Sequence, residues 1–349
     1  MSQALKTSKQ VQSYRSVEKF GIEHLSLSDS APEALGYGQV RVKMHAVSLN
    51  YRDLMIIKGI YNPNVREPTG IIPLSDGTGE VVEVADGVTR FKVGDRVASL
   101  FFQKWVSGEC DEQKAKSALA GIIDGVLTTD KVFHEDGLIA FPDHLSYEEG
   151  ATLPCAALTA WHGLVVSGQV KSGETVLLQG TGGVSIFALQ FAKMAGASVI
   201  LTSSSDAKLE TAKKMGADHL INYKQEPDWE KKVKQITNGR GVDHVIEVAG
   251  GANLVKSFQC VRIGGKLALI GALSGRAGEV NPLPIVMKNL RVQGIYVGSR
   301  EMFEGMNRAI AAHKLRPVID RVFPFEKTKE ALTHMDNASH FGKVVIKVR

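Results

Sequence analysis

The stretch Thr175–Ser205, TVLLQGTGGVSIFALQFAKMAGASVILTSSS, decides the fold of this chain. Its first five residues, Thr175–Gln179, are an apolar run of strand length. Gly180, Thr181, Gly182 and Gly183 then make a turn. After it, Val184, Phe187, Ala188, Phe191, Ala192 and Ala195 recur at the spacing of one helical face. Gly196 stands where such a helix ends, and Ser198–Ser203 reads as a second buried strand. Strand, glycine turn, helix and strand in this order predict a dinucleotide-binding βαβ unit. Glycines let the backbone turn tightly and approach a pyrophosphate, whose charge sits among the free N–H groups of the helix N-terminus. Ser185 takes the place of the usual third glycine and is small enough to keep the helix close to the sheet.

Outward from this unit the alternation continues. His219–Asn222, Asp243–Val248, Lys266–Ile270 and Val292–Val297 read as further buried strands, with helices between them that stop near Gly216, Gly239 and Gly264. That pattern predicts a parallel, doubly wound sheet. Residues 1–145 behave differently. Val40, Val42, Met44 and Ala46 alternate with polar residues, and short valine-rich pieces punctuated by GTGE, ADGV and KVGDRV follow. This part reads as an irregular, mostly β unit. Ser146 and Glu149 have capping-box spacing and open a helix at the junction. The C-terminal end predicts a helix around Glu301–Lys314 and a closing strand, Lys343–Val348.

A length of 349 residues suggests about two domains, and the composition is that of a globular protein. The net charge of +5 is modest, and Lys213-Lys214 and Lys231-Lys232-Lys234 read as solvated helix faces rather than a nucleic-acid stripe. No apolar run is long enough to span a bilayer, and MSQALKTSKQVQSY has no signal-like core. Three scattered cysteines, Cys110, Cys155 and Cys260, argue against a disulfide framework, so the expected compartment is the cytoplasm.

Taken together, VSLNYRDLMIIKGIY (Val47–Tyr61), PLSDGTGEVVEV (Pro73–Val84), FKVGDRV (Phe91–Val97), LPCAALTAWHGL (Leu153–Leu164), the glycine turn and GRGVDHVIEVAGG (Gly239–Gly251) resemble the medium-chain dehydrogenase/reductase superfamily. The resemblance covers almost the whole chain. It implies an α/β fold in two parts. A GroES-like, mostly β catalytic domain is formed by residues 1–150 and 296–349. A Rossmann nucleotide-binding domain, residues 151–295, is inserted between them, with the active site in the cleft. It also implies a homodimer or homotetramer.

Many members of this superfamily carry a catalytic zinc, which needs three protein ligands and an open fourth position. Here Asn50 stands where the zinc branch has a cysteine, Ser75 stands where it has a histidine, and Cys155 alone remains of the three. An amide, a hydroxyl and one thiol make a poor zinc site, even if Asp76 lent an oxygen. A structural zinc lobe would need four closely spaced cysteines, and residues 103–134 contain only Cys110. The expectation is an enzyme without zinc. Cys155 itself reads as a small core residue.

An NAD-preferring site places an acid at the end of the second strand. This chain has Ser203, Ser204 and Ser205 there, with Lys208 one turn further and Tyr223 in INYKQ, which suits the 2′-phosphate of NADPH while leaving NADH possible. Asp206 is the competing acid. The resemblance to the zinc-free quinone oxidoreductase (zeta-crystallin-like) branch rests on LNYRDL. It implies that Asn50, Tyr51 and Asp53 line the cleft, followed by Tyr61, with Tyr51 as a hydrogen-bond or proton donor. The competing readings are a packing role for Tyr51 and a loop-stabilising role for Asp53. On the nucleotide side, Thr159, Gly271, Leu273 and Val297 fall where the nicotinamide end would lie. Phe101, Phe102 and Trp105 either line an acceptor pocket or anchor their loop. The expected activity is NADPH-dependent reduction of a hydrophobic quinone or α,β-unsaturated carbonyl. The alternatives are a zinc-free alcohol or aldehyde dehydrogenase, and a weakly catalytic NADPH- or RNA-binding protein.

Overall fold

The computed structural model describes residues 10–16, 19–61, 70–251, 253–271 and 280–349. Around the glycine turn lies a six-stranded parallel sheet. Its spatial order is His219–Asn222, Ser198–Ser203, Thr175–Gln179, Val242–Glu247, Val261–Leu269 and Arg291–Gly294. Numbered by sequence this is 3-2-1-4-5-6, the order of a dinucleotide-binding sheet, whose ligand crevice opens where the direction of winding reverses. That point lies between Thr175–Gln179 and Val242–Glu247, which pair in parallel at Val176–His244, Leu177–Val245 and Leu178–Ile246. The helix Gly183–Met194 buries Ile186, Phe187, Ala188, Leu189, Phe191 and Ala192 against the sheet, and Gly196 ends the turn beyond it at φ 77°.

Two expectations need correction here. The strand assigned to Lys266–Ile270 begins at Val261, so Gly264 does not stop a helix: the preceding helix, Asn253–Cys260, ends earlier. Gly264 has φ 70°, and the pairing with Val242–Glu247 shifts register between Val242 and His244, so the glycine accommodates an irregularity in the sheet. The last strand is Arg291–Gly294, shorter than Val292–Val297, because Val297 turns to a left-handed φ of 51°.

The second sheet is mixed and seven-stranded. Its order is Ile319–Pro324, Lys343–Lys347, Gln39–Ser48, Asp76–Val84, Arg96–Ser99 and Leu138–Ala140, with Asp130–His134 paired to Gln39–Ser48. Val40, Val42, Met44 and Ala46 are buried, as their alternation predicts. The C-terminal strand lies antiparallel to Gln39–Ser48, so the chain end returns to the N-terminal unit. The two sheets meet along a helical segment, Leu153–Val166, whose π-type turns at Leu153–Ala157 and His162–Val166 flank Leu158–Trp161. A parallel bridge from Gly182 to Gly342 ties the glycine turn directly to the C-terminal strand's approach.

Candidate active site

Asn50 is extended and starts the helix Tyr51–Ile57; its backbone N–H donates to Asp53 Oδ2 at 2.7 Å. Asp53 is fully buried, and burial pushes its carboxyl up to about 7. Asp76 opens its strand and is equally buried, which also raises its carboxyl above the usual range. Leu74, two residues earlier, holds φ 67°, a costly conformation for a non-glycine residue. Both Asp76 oxygens are engaged: Ser75 Oγ donates to Oδ1 at 2.7 Å and the Cys155 N–H to Oδ2 at 3.0 Å.

The fourth member is Lys343, almost wholly buried at the head of the C-terminal strand. Its ammonium donates to the Leu49 carbonyl at 2.6 Å and to Asn50 Oδ1 at 2.7 Å. An ammonium only donates, so the Asn50 amide oxygen must face it. Asn50 Nδ2 is thereby directed away from the ammonium and toward the Asp76 carboxyl, whose ionised form it favours. The Lys343 charge favours the ionised form of both Asp53 and Asp76, but burial outweighs it and raises both carboxyls. The raised value at Asp53, whose Oδ1 is unpartnered, agrees with this. Burial raises the Cys155 thiol as well, which disfavours its thiolate as a free nucleophile.

Zinc chemistry finds no fit in this donor set. Among the described residues no group of three or more His, Cys, Asp or Glu is placed to hold a metal ion. Asp76 is occupied by Ser75 and Cys155, and a cation already lies against Asn50.

A dinucleotide fits the other wall. Gly180 has φ 72°, and a Cβ on Gly180 or Gly182 would meet nothing within 4 Å, leaving an open cradle above the N-terminus of Gly183–Met194. A Cβ on Gly183 would instead lie 2.6 Å from Lys343 Cδ, so the turn rests on the buried lysine. Thr181 is buried and its carbonyl accepts the Gly342 N–H at 2.9 Å; Val184 is half-buried on the first helical turn. Ser185 Oγ donates to the Gln179 carbonyl, which locks the turn from beneath.

At the end of the second strand, Ser203 Oγ accepts from the Ser205 N–H, and Ser205 caps the helix Asp206–Lys214 by accepting from the Lys208 N–H. Ser204 lies between them, half-buried. The Tyr223 N–H donates to the Ser203 carbonyl at 3.1 Å, which brings Tyr223 beside the serines with its ring partly exposed. The Asp206 oxygens are held by Asn222 Nδ2 and Gln225 Nε2. The Lys208 ammonium reaches the Ala338 carbonyl at 2.8 Å. Thr159 is buried on Leu158–Trp161, and Gly271 packs so closely on Val248 that a Cβ would lie 2.5 Å from its carbonyl oxygen. Val297 is buried, and its carbonyl accepts from His162 Nδ1 at 2.8 Å. Leu273 lies outside the described residues.

Tyr51 is half-exposed on the first helical turn. Tyr61 hydrogen-bonds Tyr296, whose hydroxyl burial pushes up to about 12. Phe101, Phe102 and Trp105 are core residues: the two phenylalanines pack edge to face, and Trp105 Nε1 donates to the Gly108 carbonyl. They anchor their loop and do not line the pocket beside it, a cavity of about 290 Å³ between the Tyr51–Ile57 helix and residues 112–122. Sequence reasoning missed Lys343, the pairing of Asp53 with Asp76, and Tyr296. Only folding makes the lysine of FGKVVIK differ from any strand-end lysine.

A nucleotide cradle beside a buried carboxyl–ammonium cluster defines a nucleotide-dependent oxidoreductase. Residues 36–143 match the alcohol dehydrogenase GroES-like domain family, and residues 183–312 match the zinc-binding dehydrogenase family. A zinc-type alcohol dehydrogenase-like protein of Schizosaccharomyces pombe is 45% identical over 323 residues, covering 91% of this chain and 93% of its own length. The human quinone oxidoreductase is 29% identical over 318 residues, 88% of each protein. A solved structure from Sinorhizobium meliloti 1021, provisionally assigned as an alcohol dehydrogenase, superposes with a TM-score of 0.90 at 40% identity, covering 98% of this chain and all of that one. The chain belongs to the medium-chain dehydrogenase/reductase superfamily, in which it is an oxidoreductase built from a GroES-like domain and a Rossmann-like parallel sheet.

Proposed function

We propose that this chain is an NADPH-dependent, zinc-independent reductase of quinones or α,β-unsaturated carbonyl compounds. The observation that carries this reading is the Lys343 ammonium held against Asn50, among the residues that in the zinc branch would be ligands. Exchange between alcohol and aldehyde concentrates charge on one oxygen and profits from a Lewis acid. A conjugated acceptor spreads that charge, and a few aimed donors suffice.

A reduced nicotinamide, when bound, supplies the hydride. The chain's own residues do the rest. Gly180, Thr181, Gly182, Gly183 and Val184 receive the pyrophosphate, and Ser203, Ser204, Ser205, Lys208 and Tyr223 receive the 2′-phosphate. Thr159, Gly271, Leu273 and Val297 flank the nicotinamide half. The Lys343 ammonium, held by Asn50 Oδ1 and the Leu49 carbonyl, brings positive charge to the wall where the acceptor's oxygen would lie. Asp53 holds a proton near neutrality, and Tyr51 and Tyr61 stand at the mouth. Residues 1–150 with 296–349 form the catalytic unit and 151–295 the nucleotide unit. The outer strand Arg291–Gly294, beside the strongly exposed Val286 and Met287, suits pairing of two copies into a homodimer. Free cysteines, and no described helix long and apolar enough to cross a membrane, support a cytoplasmic setting.

The test is NADPH consumption by chelator-treated protein with an ortho-quinone, a simple enone and an aldehyde in parallel, and NADH as control donor. Turnover of quinone or enone with NADPH, and little of aldehyde, is expected. Turnover mainly of aldehyde, or activity restored only by zinc, overturns the reading.

A further inference from the structure

We propose that Arg52 is an anion-recognition residue of the acceptor pocket, so that the acceptor is a small conjugated carbonyl compound carrying a carboxylate. This rests on the reductase reading above and narrows it. Arg52 lies on the Tyr51–Ile57 helix, between the buried carboxyls and the cavity of about 290 Å³ whose wall it forms. Its charge acts on both Asp53 and Cys155, which places the guanidinium at the join between pocket and cluster.

Among the described residues the guanidinium is held but meets no neutralising carboxylate. Its Cζ lies 4.9 Å from the ring centre of Tyr61 and 4.8 Å from that of Phe101, and Nη1 donates to the Leu119 carbonyl at 2.9 Å. Nε is buried with no hydrogen-bond partner. Among the described residues no carboxylate lies within ion-pair distance of Arg52. The pocket's other charges, Lys116 and Glu112, pair with each other at 2.6 Å on exposed side chains, so the arginine sets the sign of the interior.

A guanidinium has five donors in a rigid fork whose spacing matches a carboxylate. Two aromatic faces fix that fork in advance and lower the ordering cost of binding. A merely structural arginine of this burial would be expected to meet a carboxylate or fill its donors with carbonyls, whereas Arg52 meets one carbonyl and, among the described residues, no carboxylate. The volume is at the lower end of ligand pockets, about 300–1,000 Å³, which favours a compact acid over a long-tailed quinone.

The test separates this proposal from the reductase reading. Binding of 4-oxopentanoate and of uncharged 2-pentanone is measured calorimetrically to the full chain with NADP⁺ present, so that nothing turns over. The keto acid should bind about tenfold or more tightly, as a charge-assisted pair implies. Arg52→Met should erase that preference and Arg52→Lys should keep part of it. Equal affinity for the two compounds in the wild type, which needs no variant, overturns the proposal, as does a preference that survives Arg52→Met. In a parallel arm, NADPH oxidation is followed with 4-oxo-2-pentenoate and 3-penten-2-one, and the ratio of their kcat/KM values should fall toward unity in Arg52→Met. If neither is reduced while the binding preference persists, the reductase reading fails and the anion site stands. If both are reduced equally well, the anion site fails alone.

Discussion

The nucleotide turn and the carboxyl–lysine cluster touch each other, yet one is local and the other is not. The turn, its helix and both flanking strands lie within Thr175–Ser205, and the Ser185–Gln179 hydrogen bond that locks the turn is local, whereas the one from Gly342 is a long-range tie. The cluster joins Asn50 to Lys343, 293 positions apart, and Asp76 to Cys155, 79 positions apart. A locally encoded site keeps its shape when one side chain changes, because backbone geometry defines it. A site assembled from distant segments depends on charges that balance only when all are present.

That contrast is broken most directly at Lys343. Lys343→Met leaves Asp76 without its cation inside the protein, and stability in urea should fall by about 3–5 kcal/mol. Adding Asp76→Asn to that variant should recover part of the loss. A loss below about 1 kcal/mol would mean that the cluster is not the interdependent unit described.

The next effect is in pH. Burial raises the Asp53 carboxyl to about 7, so the folded state binds a proton that the unfolded chain has already released. This stability is fully present below the unfolded carboxylate pKa and is lost as pH rises through about 7, on the order of 2–3 kcal/mol between pH 5 and pH 8. Asp53→Asn should flatten that slope, measured as the difference in unfolding free energy from wild type across the range. Parallel curves would place the titrating group elsewhere.

On the local side, Gly182→Ala adds a methyl group where nothing lies within 4 Å. Folding stability should stay within about 0.5 kcal/mol, as for a surface change, while nucleotide affinity drops by about tenfold or more because the methyl fills the cradle. Equal losses in both would show the turn to be a packing element. The smallest effect sharpens the nucleotide choice: Ser203→Asp should weaken NADPH by about tenfold while sparing NADH, read by fluorescence titration of each. Unchanged NADPH affinity would move the phosphate pocket away from Ser203–Ser205.

The strands of the parallel sheet were legible because buried parallel strands are continuous apolar runs, and the helix after the glycine turn because one face repeats. The Ser146–Glu149 capping box reads straight from spacing and forms as expected, Ser146 Oγ accepting from the Glu149 N–H. Gly264 misled because a left-handed glycine serves a strand irregularity as well as a helix end. Phe101, Phe102 and Trp105 were ambiguous for the same kind of reason. An aromatic residue in a loop has one composition whether it faces a ligand or a core. Asp206 needed the structure to show that Asn222 and Gln225 occupy its oxygens.

The sequence by itself determined the order of elements, the glycine turn, the serines in place of an acid and the absence of a cysteine–histidine ligand set. Each of these depends on residue identity at short spacing, where backbone conformation and donor chemistry follow directly. Only the tertiary structure decided that Lys343 faces Asn50, that its charge acts on both Asp53 and Asp76, and that Arg52 meets rings and, among the described residues, no carboxylate. Those facts are about charge in a dry interior. How strongly a charged group acts there depends on what water has been excluded and which distant segment has replaced it.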